Sequence, residues 1–174
     1  MHSPEYSVGT NGNIVHNLSD SILTIYNTEK MENKLNGITV QINPLHYKRR
    51  KFLSEQFRDQ LSKTKDVNLF IVELAYDDEP FEITDKNHKN HLQLRTERYN
   101  LPWSKENVIS IAIQHILPSD YKAFAWIDGD LEIDSGTRHS DTLKLLNGKY
   151  DIIQMCNVCL DMDKEKTPWH VFTV

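Results

Sequence analysis

Two periods of apolar residues organise the middle of the chain. Ile38-Thr39-Val40-Gln41-Ile42 is rich in β-branched residues and predicts a strand, which Asn43-Pro44 ends because proline cannot donate to a central ladder. Phe52, Leu53, Phe57 and Leu61 then recur at helical spacing, so a helix is expected over about 47–63 with those four as its inner face. Residues 67–72 read as a second core strand running into Glu73. A strand–helix–strand order of this length implies a parallel pair, which places Glu73 near the same sheet edge as Asn43. Two short strands are expected at 81–84 and 91–94. Val108, Ile109, Ala112 and Ile116 form the stripe of a helix from Lys105 to His115; Ile111 and Ile113 widen it, so this helix is expected to be well buried, with Ser104 as its N-cap. Residues 123–127 are five apolar residues that run into Asp128-Gly129-Asp130, the signature of a strand buried on both faces. Beyond them the pattern predicts a short helix over 140–146, a strand over 151–155 and the start of an element at 169–172. Residues 1–36 are polar and rich in Asn, Ser and Thr; they read as an arm or loops, with 21–26 as an edge-strand candidate.

Chemistry collects where the predicted strands end. Two buried carboxylates need a positive partner, and a divalent metal is a natural one for Asp128 and Asp130 at the carboxyl edge of a sheet. Gly129 between them permits a tight bend or the close approach of a ligand. The plainer reading is an exposed Asp-Gly turn. Lys48, Arg49, Arg50 and Lys51 open the first helix, where cations oppose the macrodipole at up to about 1 kcal/mol each. That arrangement reads either as an anion site or as a solvated basic turn. Glu73 reads as an acceptor for ribose hydroxyls or a base N–H, or as a solvated strand end. Lys105 and Asn107 sit in the first turn of their helix, where an anion can bind. Taken together, Asn43, Glu73, Asp128 and Asp130 along one edge, with Arg49, Arg50 and Lys105 nearby, suit a nucleoside diphosphate.

Composition narrows the classes. With 174 residues, 39% hydrophobic and 26% charged, the chain is one ordinary domain, or one domain with an arm. A net charge of −5 argues against general binding of nucleic acid. No run approaches the roughly 18 apolar residues of a membrane span, and the first residues carry neither the basic nor the apolar part of a secretory signal. Cys156 and Cys159 lie in a strand-like run without further zinc ligands, so two reduced, partly buried thiols and a cytoplasmic location are expected. The eight histidines show no close metal-binding spacing.

The pieces Asn43-Pro44-x-x-Tyr47-x-Arg49-Arg50, Val72-Glu73-Leu74-Ala75-Tyr76, Leu94-Arg95, Trp103-Ser104-Lys105-Glu106-Asn107 and Trp126-Ile127-Asp128-Gly129-Asp130 occur in order. Over about residues 38–163 the chain resembles the nucleotide-sugar-binding half of GT-A glycosyltransferases, and more narrowly a group found in bacteria and in large DNA viruses of algae and protists. The resemblance implies an α/β, Rossmann-like GT-A fold over 37–174, with a mostly parallel central sheet flanked by helices. It implies a metal-dependent glycosyltransferase that takes a UDP-sugar donor and a glycan or glycoprotein acceptor, in the host cytoplasm for a viral protein. Asp128-Gly129-Asp130 then matches the DxD motif that holds Mn²⁺ or Mg²⁺, Asp130 as the more direct ligand and Asp128 nearer the ribose. Glu73 matches the nucleoside contact, Asn43 and Pro44 the loop beside the base, and Arg49, Arg95 and Lys105 are donor contacts. The chain ends 44 residues past Asp130, so the acceptor half is expected to be short or missing. The candidates for a catalytic base are Asp161, Asp163 and His170, none of which matches a motif. The alternatives are a non-catalytic nucleotide-sugar-binding module and a haloacid-dehalogenase-like phosphatase, in which the first Asp would be a nucleophile.

Overall fold

The computed structural model describes residues 6–8, 14–16, 34–98, 104–133, 138–148 and 150–173. The chain divides into two units, Met1–Met31 and Glu32–Val174. In the first, β1 (Tyr6–Val8) and β2 (Ile14–His16) pair antiparallel. The edge strand expected at 21–26 lies outside the described residues.

The second unit carries the site. Its strands β3 (Leu35–Ile42), β4 (Val67–Tyr76), β5 (His91–Thr96) and β6 (Phe124–Trp126) form one parallel sheet in the order β5-β4-β3-β6. The helices are α1 (Lys48–Ser62), α2 (Lys105–His115) and α3 (Arg138–Gly148). The architecture is thus mixed α/β with a parallel sheet, compatible with a Rossmann-like arrangement. β3 begins two residues before the boundary drawn at 36/37.

Side-chain alternation along β3 and β4 divides the core in two. Ile38, Phe70, Val72, Leu74 and Tyr76 pack with Val108 and Ala112 of α2. On the other face Phe57 and Leu61 of α1 meet Ile127, with Leu69 and Ala125 beside them. Burying an aliphatic or aromatic side chain of this kind contributes about 1.5–3 kcal/mol. The period of the apolar residues therefore sets both the elements and the sides they occupy.

Several expectations are corrected. β4 extends to Tyr76, because Leu74, Ala75 and Tyr76 are as buried as the run before them. β6 is an edge strand with Trp126 63% exposed, not a strand covered on both faces. Phe52 points to solvent, and the buried positions of α1 are Ser54, Phe57 and Leu61. Only Val108 and Ala112 of α2 are fully buried, and Ser104 makes no side-chain cap. Residues 81–84 and 151–155 are irregular. The element expected at 169–172 is present as β8 (Pro168–Thr173), which pairs antiparallel with β7 (Val158–Met162) in a hairpin.

Candidate functional site

β3 and β6 are neighbours in the sheet, yet α1, β4, β5 and α2 separate them in the chain. From β3 the chain leaves for α1, and from β6 it leaves through Asp128-Gly129-Asp130. Such a change of direction in a parallel sheet leaves a crevice at the carboxyl ends of the strands. Here the crevice is a cleft of about 250 Å³ lined by Gln41, Arg50, Ser54, Lys105, Asp128 and Asp130, among others. Lys105 reaches from the first turn of α2 and pairs its Nζ with Asp128 Oδ1. Both aspartates are exposed while Gly129 is buried. A second recess of about 360 Å³ adjoins at Arg50 and Asp130 and is lined also by Tyr47, Lys48 and Arg49. The basic first turn of α1 contains no acidic residue of its own. Arg50 donates to the Ile42 carbonyl at 2.8 Å and Arg49 to the Asp163 carbonyl at 3.3 Å, so both guanidiniums are tethered to backbone.

A second group of the expected site residues gathers elsewhere, around the β4–β5 connection. Because β4 runs on to Tyr76, Glu73 lies inside the sheet, in register with Gln41, rather than at the edge. Glu73 is 6% exposed, and its carboxylate accepts from the backbone N–H groups of Glu82 (2.5 Å), Ile83 (3.1 Å) and Thr84 (2.8 Å) and from Thr84 Oγ1 (2.6 Å). A carboxylate offers about four lone-pair sites, so this one is taken up by its own loop. Asn43 accepts from the Tyr47 N–H at 3.0 Å and donates to Glu82 at 3.1 Å. His46, at φ 49°, lies 3.2 Å from Glu82 and 3.5 Å from Glu79. The Pro44 carbonyl accepts from Arg98 at 3.4 Å. Arg95 donates to the Asp77 carbonyl and stacks over Phe81, 4.9 Å from the ring centroid. The turn after β3 and the loop after β4 are thereby laced together. Asn43, Pro44, Glu73 and Arg95 line neither recess, whereas Arg49, Lys105 and Asp128 each line one and Asp130 lines both.

The candidate bases lie on the terminal hairpin. Asp161 stands opposite His170 across the strands. Asp163 accepts from the N–H groups of Glu165 (2.9 Å) and Thr167 (2.8 Å), so it caps the turn of the hairpin. Cys156 and Cys159 are free and half-buried. Two histidines away from the cleft are held below their ordinary pKa. Burial is the main cause at His139, opposed by Asp66 and reinforced by Arg138. At His91 burial is again the largest cause, reinforced by His88 and Arg58 and opposed by Asp85.

In the sequence Arg50 is only a cation near the expected site, and Thr39, Gln41 and Ser54 carry no motif. The available signal was two polar residues, Thr39 and Gln41, on one side of a central strand whose other side is Ile38, Val40 and Ile42. Among the described residues no three His, Cys, Asp or Glu side chains cluster to hold a metal ion. Two adjacent exposed carboxylates therefore do not make an all-protein cage. Asp128 and Asp130 could supply two hard oxygen donors to a small cation, with the rest of its shell coming from outside the chain. No protein-family model matches this chain, no curated protein matches it, and no solved structure matches it.

Proposed function

We propose that this chain is a glycosyltransferase domain that binds a UDP-sugar in the cleft at the ends of β3 and β6, with Mn²⁺ or Mg²⁺ at Asp128 and Asp130. The observation that carries the reading is the convergence of Asp128, Asp130, Lys105 and Arg50 on one crevice from three separate elements. Lys105 and the basic turn of α1 supply positive charge for a diphosphate, and the exposed carboxylates supply hard oxygen donors. A cation bound there would neutralise charge on the departing diphosphate. The acceptor would be a hydroxyl of a glycan or glycoprotein, whose proton needs a base. Asp161 and His170 are the candidates, since Asp163 Oδ1 already accepts from the Glu165 and Thr167 N–H groups in the hairpin turn.

That engagement of Asp163 favours one second reading, a module that binds the nucleotide sugar without turning it over. The test is release of UDP from a panel of UDP-sugars with Mn²⁺, with simple sugars as acceptors, comparing wild type and Asp130→Asn. Release that disappears in Asp130→Asn supports the transferase. Binding without release in every combination supports the module.

A further inference from the structure

We propose that Gln41 is a positioning residue for the Asp128-Gly129-Asp130 turn, and that position 129 is glycine because the Gln41 amide fills the space a side chain would need. What the turn holds rests on the donor-site reading above; the brace itself rests on contacts within the chain.

Thr39 and Gln41 face the α1 side of the sheet, and both are more than nine-tenths buried. Ser54, on the buried stripe of α1, donates its hydroxyl to Gln41 Oε1 at 2.5 Å. That bond holds the carbonyl end of the amide toward α1 and leaves Nε2 facing Gly129. A Cβ placed on Gly129 would meet Gln41 Nε2 at 2.0 Å, Gln41 Cδ at 3.2 Å and Thr39 Oγ1 at 3.0 Å. The first distance is shorter than any real Cβ contact. Gly129 does not occupy the left-handed region of φ, so space rather than backbone freedom explains the glycine.

The consequence falls on the carboxylates. Asp128 and Asp130 flank Gly129, are exposed, and lie in a short turn closed by Leu131 N–H donating to the Asp128 carbonyl at 3.4 Å. The turn is tied to β3 by Ile127 N–H donating to the Ile38 carbonyl at 2.9 Å and to α2 by the Asp128–Lys105 pair, and the close approach of Gly129 to the Gln41 amide lies between those two anchors. Thr39 Oγ1, buried and without a hydrogen-bond partner, lies on the same floor. Gln41 acts through the turn and is not itself a catalytic residue.

The test is a cycle of Gly129→Ala, Gln41→Ala and the double variant. It has two readouts, the ligand-free carboxyl-carbon NMR resonances of Asp128 and Asp130, and the affinity for UDP with Mn²⁺. Gly129→Ala is expected to move both resonances and to weaken binding by about tenfold or more, since a binding constellation needs its groups held to within about 0.5 Å. Adding Gln41→Ala removes the obstruction, so the double variant should return to within about threefold of Gln41→Ala alone, the non-additivity expected of residues in contact. If Gly129→Ala does not fold, recovery of folding in the double variant supports the brace and failure to recover overturns it. Unchanged resonances in Gly129→Ala, or a double variant as impaired as Gly129→Ala, would also overturn it. If wild type itself does not bind UDP, the donor-site reading falls, and the resonances and the folding rescue alone decide the brace.

Discussion

Glu73 stands in register with Gln41 on the sheet, the Asp128/Asp130 pair flanks Gly129 next to the same Gln41, and the two are used in opposite ways. Glu73 is buried, and four donors from its own loop fill its oxygens. Asp128 and Asp130 are exposed; Asp128 faces one lysine and Asp130 lines two recesses. A carboxylate buried with full hydrogen bonding fixes structure, because removing it strands several buried donors. A carboxylate left open at a strand end contributes little to stability and keeps its lone pairs for a ligand. Burial and partner count, not residue type or distance from the strand end, separate the anchor from the candidate ligand.

The largest expected effect is at Glu73. Glu73→Ala leaves the N–H groups of Glu82, Ile83 and Thr84 without their acceptor, and the expected loss is about 3 kcal/mol, at the level of hydrogen bonds to charged groups; urea denaturation measures it. Glu73→Gln should recover part of that loss. A change below about 0.5 kcal/mol in Glu73→Ala would show that the loop does not depend on the buried carboxylate.

The next effect is one of pH. His139 and His91 have folded pKa values below the ordinary histidine value of about 6.5. Below that value the unfolded chain binds more protons than the folded one, so stability rises with pH through about 6.5 and falls as pH drops toward the folded pKa values. Denaturation midpoints at pH 7.5 should exceed those at pH 5.5. His139→Leu should shrink the difference, because its ring nitrogens are buried without hydrogen bonds. Equal pH dependence in wild type and His139→Leu would assign the effect elsewhere.

The smallest effects on stability belong to the open pair. Asp130→Ala and Lys105→Met should each change the unfolding free energy by less than about 1 kcal/mol, the usual range for exposed charges and surface ion pairs. Thermal melts or urea curves suffice to check this. A loss near that of Glu73→Ala would mean that the cleft charges are structural after all.

The sheet and its helices were legible because continuous apolar runs and a 3.6-residue stripe carry their own period. The expected limits of α1 and α2 lie within a residue of the observed ones for that reason. The role of Glu73 was not legible, since an acid after an apolar run reads the same whether a ligand or a backbone loop fills its oxygens. Residues 81–84 have strand-like residues, yet their N–H groups go to Glu73 instead of to a ladder. The contact between Gln41 and Gly129 joins positions far apart in the chain and has no local signature beyond a polar residue in a central strand. Asp128 and Asp130 were found as a motif, but their exposure and the Lys105 partner came only with the strand order.

The most direct test is calorimetric binding of UDP to the purified chain, with and without Mn²⁺, in wild type and in Asp130→Asn. The expected result is binding that requires the metal and weakens by about tenfold or more, roughly 1.4 kcal/mol, in Asp130→Asn. Folded wild-type chain that does not bind UDP, or binds it equally well without Mn²⁺ and without the Asp130 carboxylate, would contradict the assignment of the cleft.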